Sequence, residues 1–292
     1  MKACYPIGWN YDKENNYIFC HLCSFHCKIK NGESGRCQIR ENIDNSLFVS
    51  NYGKMSLCII DELKDRDISL LENEKSLTIG TYGCGNLCQF CENYSISHKI
   101  PERTFPYSNS IIDKLDDSVK YVSFSLSEPI VNLEFVMDVS EYAREKGKKI
   151  CIKTSGNMGR FMNHLLIKKV DVVSVDIKPL PLFDDVRFFK NVFAFIYSAN
   201  KMAHVEINHI IIEGVNSSKE EIKRVVEKMR NESFKMIAYA NDPCAGMYEN
   251  GIHLITHHAN FNSPWRDTSP ETMDIAKDIF SSAGFKNVFI KE

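Results

Sequence analysis

The residues of this chain best suited to chemistry are its cysteines. Seven of the eleven fall in two tight groups. Cys84, Cys88 and Cys91 form C-x3-C-x2-C within TYGCGNLCQFCEN, and Cys20, Cys23, Cys27 and Cys37 form C-x2-C-x3-C-x9-C nearer the start. Such spacing brings several sulfurs to one point. Three thiolates on one loop can hold three irons of a [4Fe–4S] cluster and leave the fourth iron open to a small molecule. Zinc is the competing reading, but a structural zinc site wants four ligands, and His98 could complete this one only if the loop folded back. The four-cysteine set is saturated and predicts a structural site, either tetrahedral zinc or an auxiliary [4Fe–4S] cluster. Lys28, Lys30, Arg36 and Arg40 would offset its thiolate charge, and His21 and His26 are spare ligands or outer partners. Cys4, Cys58, Cys151 and Cys244 are scattered, and Cys151, inside KICIK, reads as a small core residue.

The elements that must position these groups are short β-rich runs alternating with helical patterns from about Ser76 onward. Leu77–Thr81, Tyr121–Leu126, Lys149–Thr154, Val172–Ile177, Val205–Ile212 and Phe234–Tyr239 are candidate strands. Phe135, Val136, Val139, Tyr142 and Ala143 mark one apolar helix face ending near Gly147. A second helix is expected from Ser217, with Glu220 closing a capping box. Ser269–Pro270 opens a last helix before a final strand around Asn287–Ile290. Six β-α repeats imply parallel strands, in either a doubly wound sheet or a partial barrel, with the active site on loops at the carboxyl ends. The Cys84–Cys91 loop follows the first of these strands and so lies on that rim. Residues 1–75 lack long helical patterns and read as a small Cys-rich, metal-stapled subdomain, leaving 76–292 as the core with a C-terminal extension.

Composition narrows the function. The 292 residues, 43% hydrophobic, can bury one large α/β core. The net charge of −2, from 36 Lys and Arg against 38 Asp and Glu, offers no basic excess for nucleic acid or a membrane surface, so neither partner is expected. Met1–Asn10 lacks the apolar centre of a signal peptide, which predicts a cytoplasmic protein. Cysteine is too dilute for a disulfide scaffold, which leaves metal binding as its use.

The chain resembles the radical S-adenosylmethionine (SAM) enzymes, whose signature is C-x3-C-x2-C after the first strand with an aromatic residue, here Phe90, before the third cysteine. It is most similar to the branch holding the pyruvate formate-lyase activating enzyme-like proteins and the AmmeMemoRadiSam-system radical enzymes. Matching segments, in order, are CHLCSFHCKI…GESGRC, SLTIGTYGCGNLCQFCENYSIS, SFSLSEP, KTSGNM, VSVDIKP and HVEINHIIIEGVNSS.

The resemblance implies a partial (β/α)6 TIM-type barrel, a [4Fe–4S] cluster, and SAM chelated at the open iron. Reductive cleavage would give a 5′-deoxyadenosyl radical that takes hydrogen from the substrate. By position, Ser127, Glu128 and Pro129 correspond to the segment recognising the methionine amino group. Ser155 and Gly156, with Asp176 and Lys178, lie near the ribose and the methionine carboxylate, and Gly214 corresponds to a glycine approaching the adenine. Activation of a glycyl radical enzyme is the sharper reading, a peptide epimerase or crosslinking enzyme the alternative, and a non-catalytic iron–sulfur carrier or assembly factor the competitor from another class. A protein or peptide substrate and reduced flavodoxin or ferredoxin as electron donor follow from the same resemblance. Asn241–Ser269 departs from the branch pattern and reads as an irregular substrate loop, in which the Cys244 thiol could return a hydrogen atom to a substrate radical.

Overall fold

The computed structural model describes residues 1–71, 73–180, 186–241, 246–260 and 263–292. Its centre is an eight-stranded sheet: β1 (Leu57–Glu62), β2 (Lys75–Gly80), β3 (Val119–Ser125), β4 (Lys149–Thr154), β5 (Val172–Asp176), β6 (His204–Ile211), β7 (Gly251–Thr256) and β8 (Asn287–Lys291). The strands lie in chain order across the sheet. β1 runs antiparallel to β2, and every later neighbour is parallel. A doubly wound sheet requires a point where the strand order reverses, and here there is none. Right-handed crossovers that always step the same way stack their helices on one face, which is the winding of a partial barrel. β2 to β5 read as nearly continuous buried runs, as expected for parallel strands covered on both faces.

The outer elements are α1 (Leu133–Glu145), α2 (Arg160–Ile167), α3 (Val186–Ala199), α4 (Lys219–Ala240) and α5 (Pro270–Ser282). α1 buries Phe135, Val136, Val139 and Ala143, the face read from the sequence. α5 starts where expected, with Ser269 Oγ accepting from Thr272 N at 3.2 Å and Pro270 in the first turn.

Three expectations are corrected. Phe234–Tyr239 is not a strand but the last turns of α4. The buried series Ile222, Val225, Val226, Met229, Ser233 and Met236 keeps helical spacing through MIAY until Asn241 ends the helix in the left-handed region at φ 52°. The sixth strand of the β-α series is instead GIHLIT, β7, inside the segment read as an irregular loop. The cap of α4 lies one residue later than expected: Ser218 Oγ accepts from Glu221 N at 3.2 Å, while Ser217 Oγ accepts from Gly214 N at 3.0 Å.

Residues 1–56 form small antiparallel sheets, including Trp9–Asp12, Tyr17–Cys20 and Lys28–Lys30 in one and Arg40–Ile43 and Ser46–Val49 in another. Ile18, Leu22, Ile29, Leu47 and Val49 share one core with barrel residues such as Phe124, Phe135 and Met158. A buried ion pair joins the two regions: Arg40 Nη2 donates to Glu134 Oε2 at 2.6 Å, and Glu134 Oε1 accepts from Tyr5 N at 2.9 Å. Removing one partner of such a pair typically costs about 3–5 kcal/mol, because the other charge stays buried.

Candidate active site

β2 ends at Gly80, and the chain turns directly into the Cys84–Cys91 loop. Gly83 adopts φ +91°, and a Cβ there would stand 2.8 Å from Cys37 O. Only glycine fits, because the N-terminal segment packs flat against this turn. Asn86 N donates to Cys84 Sγ at 3.4 Å, and Cys91 Sγ donates to Ser97 Oγ at 3.5 Å. Asn51 Nδ2 donates to Tyr82 O at 2.8 Å, so side chains from outside the loop also hold its approach.

All three cysteines open onto one cavity of about 350 Å3 at the carboxyl ends of the strands. Pockets of about 300–1,000 Å3 suit small organic ligands. Phe90, Glu128, Ser155, Asp176 and Lys178 line it as well. Gly156 and Gly214 are not on its wall. Gly156, at φ +66°, lies against Phe195 and Val175, and Gly214 turns at φ +77° in open space. Their visible roles are in the backbone. His98 packs against Tyr94, with ring centroids 4.4 Å apart and the planes tilted by 52°, and is also absent from the wall. Cys244 lies outside the described residues.

Glu128 is buried and held by four donors. Oε1 accepts from Thr154 Oγ1 at 2.5 Å and Ile130 N at 3.3 Å, and Oε2 accepts from Ser155 N at 3.0 Å and Ser155 Oγ at 2.6 Å. The carboxylate therefore ties the ends of β3 and β4 together in one orientation. Across the cavity, Lys178 Nζ donates to Asp176 Oδ2 at 2.7 Å, and Asn208 Nδ2 donates to Asp176 Oδ1 at 2.8 Å. Burial would raise the Asp176 pKa, but the Lys178 and Lys153 ammonium groups overcome it and hold the carboxyl below its ordinary value. Burial likewise opposes the charge on Lys178, yet Asp176 and the Cys88 sulfur push its pKa up, so the amine stays protonated. Burial raises the Cys88 thiol to about 11, with Lys178 acting in the opposite direction, and burial raises Cys84 well above the usual thiol range. Metal binding at these thiols must release protons.

The sequence reading missed Lys153, Asp67 and Asn208, all on the same wall. Lys153 pairs with Asp67, the left-handed residue closing the turn Leu63–Arg66 between β1 and β2. It also missed Trp265, which packs with Cys88, Phe90 and Ile212 from the segment after β7.

Residues 78–181 match the family model described as the Radical SAM superfamily. The match takes in the Cys84–Cys91 loop and β3 to β5. An uncharacterized protein of Methanocaldococcus jannaschii is 26% identical over 96% of this chain and 83% of its own length. Another protein of that organism, provisionally named a glycyl-radical enzyme activating enzyme, is 29% identical over 38% of this chain and 48% of its own. Among solved structures, a radical SAM methyltransferase from Sphaerobacter thermophilus superposes with a TM-score of 0.54 at 14% identity, covering 75% of this chain and 66% of that one, a likeness of fold. No helix among the described residues is long and apolar enough to cross a membrane.

The superfamily whose model matches residues 78–181 implies a [4Fe–4S] cluster and SAM. Among the described residues, no three His, Cys, Asp or Glu side chains are already drawn together tightly enough to hold a metal ion. The donor set nevertheless fits: three soft thiols on one loop line one cavity. A buried cation beside them offsets thiolate charge, with Lys178 Nζ 5.9 Å from the Phe90 ring centre.

Proposed function

We propose that Cys84, Cys88 and Cys91 hold a [4Fe–4S] cluster, that SAM occupies the adjoining cavity, and that the protein abstracts a hydrogen atom from a protein or peptide substrate. Glycyl-radical activation is the sharpest form of this reading. One observation carries it: a single cavity walled by three cysteines, a carboxylate held by four donors, and a buried Asp–Lys pair, all at strand ends. Held by these cysteines, a reduced cluster would supply the electron for reductive cleavage of SAM.

The chain's own residues then bind, orient and exclude water. Lys178 is a protonated, largely buried amine that can meet the methionine carboxylate, and Asp176 can accept from ribose hydroxyls. Asn208 fixes Asp176 from the neighbouring strand. Ser155 bonds Glu128 through both its N–H and its hydroxyl, so the hydroxyl can turn to a ligand while the N–H keeps the carboxylate in place. Glu128 then has an acceptor position for an amino group. The relative provisionally named as a glycyl-radical enzyme activating enzyme supports the substrate class. Reduced flavodoxin or ferredoxin suits the electron requirement.

The test is anaerobic. Reconstituted protein reduced with dithionite should form 5′-deoxyadenosine, and Cys84→Ala, Cys88→Ala and Cys91→Ala should not, whereas Cys151→Ala should. Iron incorporation without 5′-deoxyadenosine, even with candidate glycyl radical enzymes present, would replace this reading with that of an iron–sulfur carrier.

A further inference from the structure

The four N-terminal cysteines are distant in sequence from the catalytic loop but adjacent to it in space. Cys20, Cys23, Cys27 and Cys37 all line one small cavity of about 10 Å3, together with Arg40 and Gly85. That is about the space of a single water-sized sphere. It accommodates one ion with sulfurs drawn in to about 2.3 Å. A four-iron cube needs room for eight heavy atoms between its thiolates, and drawing the sulfurs inward makes the space smaller still.

One of the sulfurs is also addressed by a backbone donor. Arg36 N donates to Cys27 Sγ at 3.4 Å. N–H groups aimed at sulfur stabilise thiolates, and outer-shell donors of this kind orient metal ligands. Arg40 supplies a second pointer. Its Nε donates to Val131 O at 3.1 Å and its Nη2 to Glu134, but its buried Nη1 has no hydrogen-bond partner. A buried guanidinium N–H left over beside four cysteines suits an anionic metal–thiolate centre.

We propose that Cys20, Cys23, Cys27 and Cys37 close on a single zinc ion, and that this knot clamps the two loops that build the active site. On one side Arg36 Nε donates to Gly85 O at 2.6 Å, between Cys84 and Cys88, and the Phe25 ring lies 3.1 Å from where a Gly85 Cβ would stand. On the other, Gly159 N donates to Leu22 O at 2.7 Å and Ser24 N donates to Asn157 Oδ1 at 3.1 Å, just beyond Ser155 and Gly156. Loss of the zinc therefore frees both loops, while loss of the catalytic cluster leaves the zinc in place.

The test uses the full chain, reconstituted anaerobically and analysed for zinc and iron. Wild type should hold about one zinc and about four irons, Cys84→Ala should keep the zinc and lose the iron, and Cys23→Ser should lose the zinc. Zinc K-edge absorption on the wild type should show a sulfur-only shell at about 2.3 Å, which keeps the proposal testable if Cys23→Ser fails to fold. Wild-type protein without zinc, or zinc bound by nitrogen or oxygen, would overturn it. The clamp is read separately in Arg36→Met, which touches no metal: its zinc should stay and its cluster should bleach several-fold faster under chelator. An unchanged bleaching rate would remove the clamp. None of these readouts depends on SAM cleavage.

Discussion

Cys84, Cys88 and Cys91 open onto about 350 Å3 of space, whereas Cys20, Cys23, Cys27 and Cys37 surround about 10 Å3. The first set faces charged groups that are themselves paired: Asp176 with Lys178, and Lys153 with Asp67. The second faces apolar walls such as Leu22, Ile29 and Val131, with Arg40 as its buried cation. On the proposed reading the same thiol serves two purposes, and the surroundings decide which. Three sulfurs beside a roomy polar cavity leave a coordination position for a ligand. Four sulfurs around an ion-sized space leave none.

The comparison can be broken from either side. The largest effect is expected at Cys88→Ala, which should abolish 5′-deoxyadenosine formation and cluster iron while leaving zinc unchanged in elemental analysis; parallel loss of both metals would merge the two sites into one. Next is Lys178→Met. It removes the ammonium bonded to Asp176, leaving Lys153 as that carboxylate's remaining cation, and should weaken SAM binding by roughly 30-fold or more, read as the midpoint of a SAM titration. Glu134→Gln removes the partner of Arg40 and should lower stability by about 3–5 kcal/mol in chemical denaturation, with the N-terminal sheets released first in hydrogen exchange.

The smallest effect is at the opposite end of the barrel from either cysteine site. Glu206 accepts from His204 Nε2 at 2.8 Å, His253 Nε2 at 2.6 Å, Ser69 N at 2.9 Å and Leu70 N at 3.0 Å. Burial would raise its pKa, but these donors together bring it down to about 2 from 4.5. A depressed carboxyl stabilises the fold fully above its unfolded value and loses that contribution as pH falls from about 4.5 toward about 2. Acid denaturation should therefore steepen in that window for wild type and flatten in Glu206→Gln. The SAM titration at neutral pH should be nearly unchanged in that variant, because Glu206 is remote from the cavity wall.

Much of this was legible in the sequence, for reasons that differ by residue. The two cysteine sets stand out because sulfurs meant for one ion or cluster must be close in sequence on a loop, and the structure places each set on its own cavity. Glu128, Ser155, Asp176 and Lys178 stood out only through resemblance and their position at strand ends, and the structure brings all four to one wall. Gly214 followed the same reasoning and lies off that wall, because a glycine at positive φ serves its own turn first. The Lys153–Asp67 pair and the Arg36–Gly85 bond span 86 and 49 residues, and no local pattern records such contacts. Phe234–Tyr239 was misread because so short an apolar run fits either period, and the 22-residue length of α4 decides it. β7 was hidden because His253, a polar residue satisfied by Glu206, interrupts its apolar run.

The central claim is that the three-cysteine site keeps one iron open to SAM and the four-cysteine site is closed. Electron paramagnetic resonance of the dithionite-reduced protein, recorded with and without SAM, tests it most directly. The account expects one reduced-cluster signal, absent in Cys88→Ala, present in Cys23→Ser wherever that variant retains its cluster, and shifted when SAM is added. A signal indifferent to SAM, or one that survives Cys88→Ala and disappears in Cys23→Ser, would contradict it.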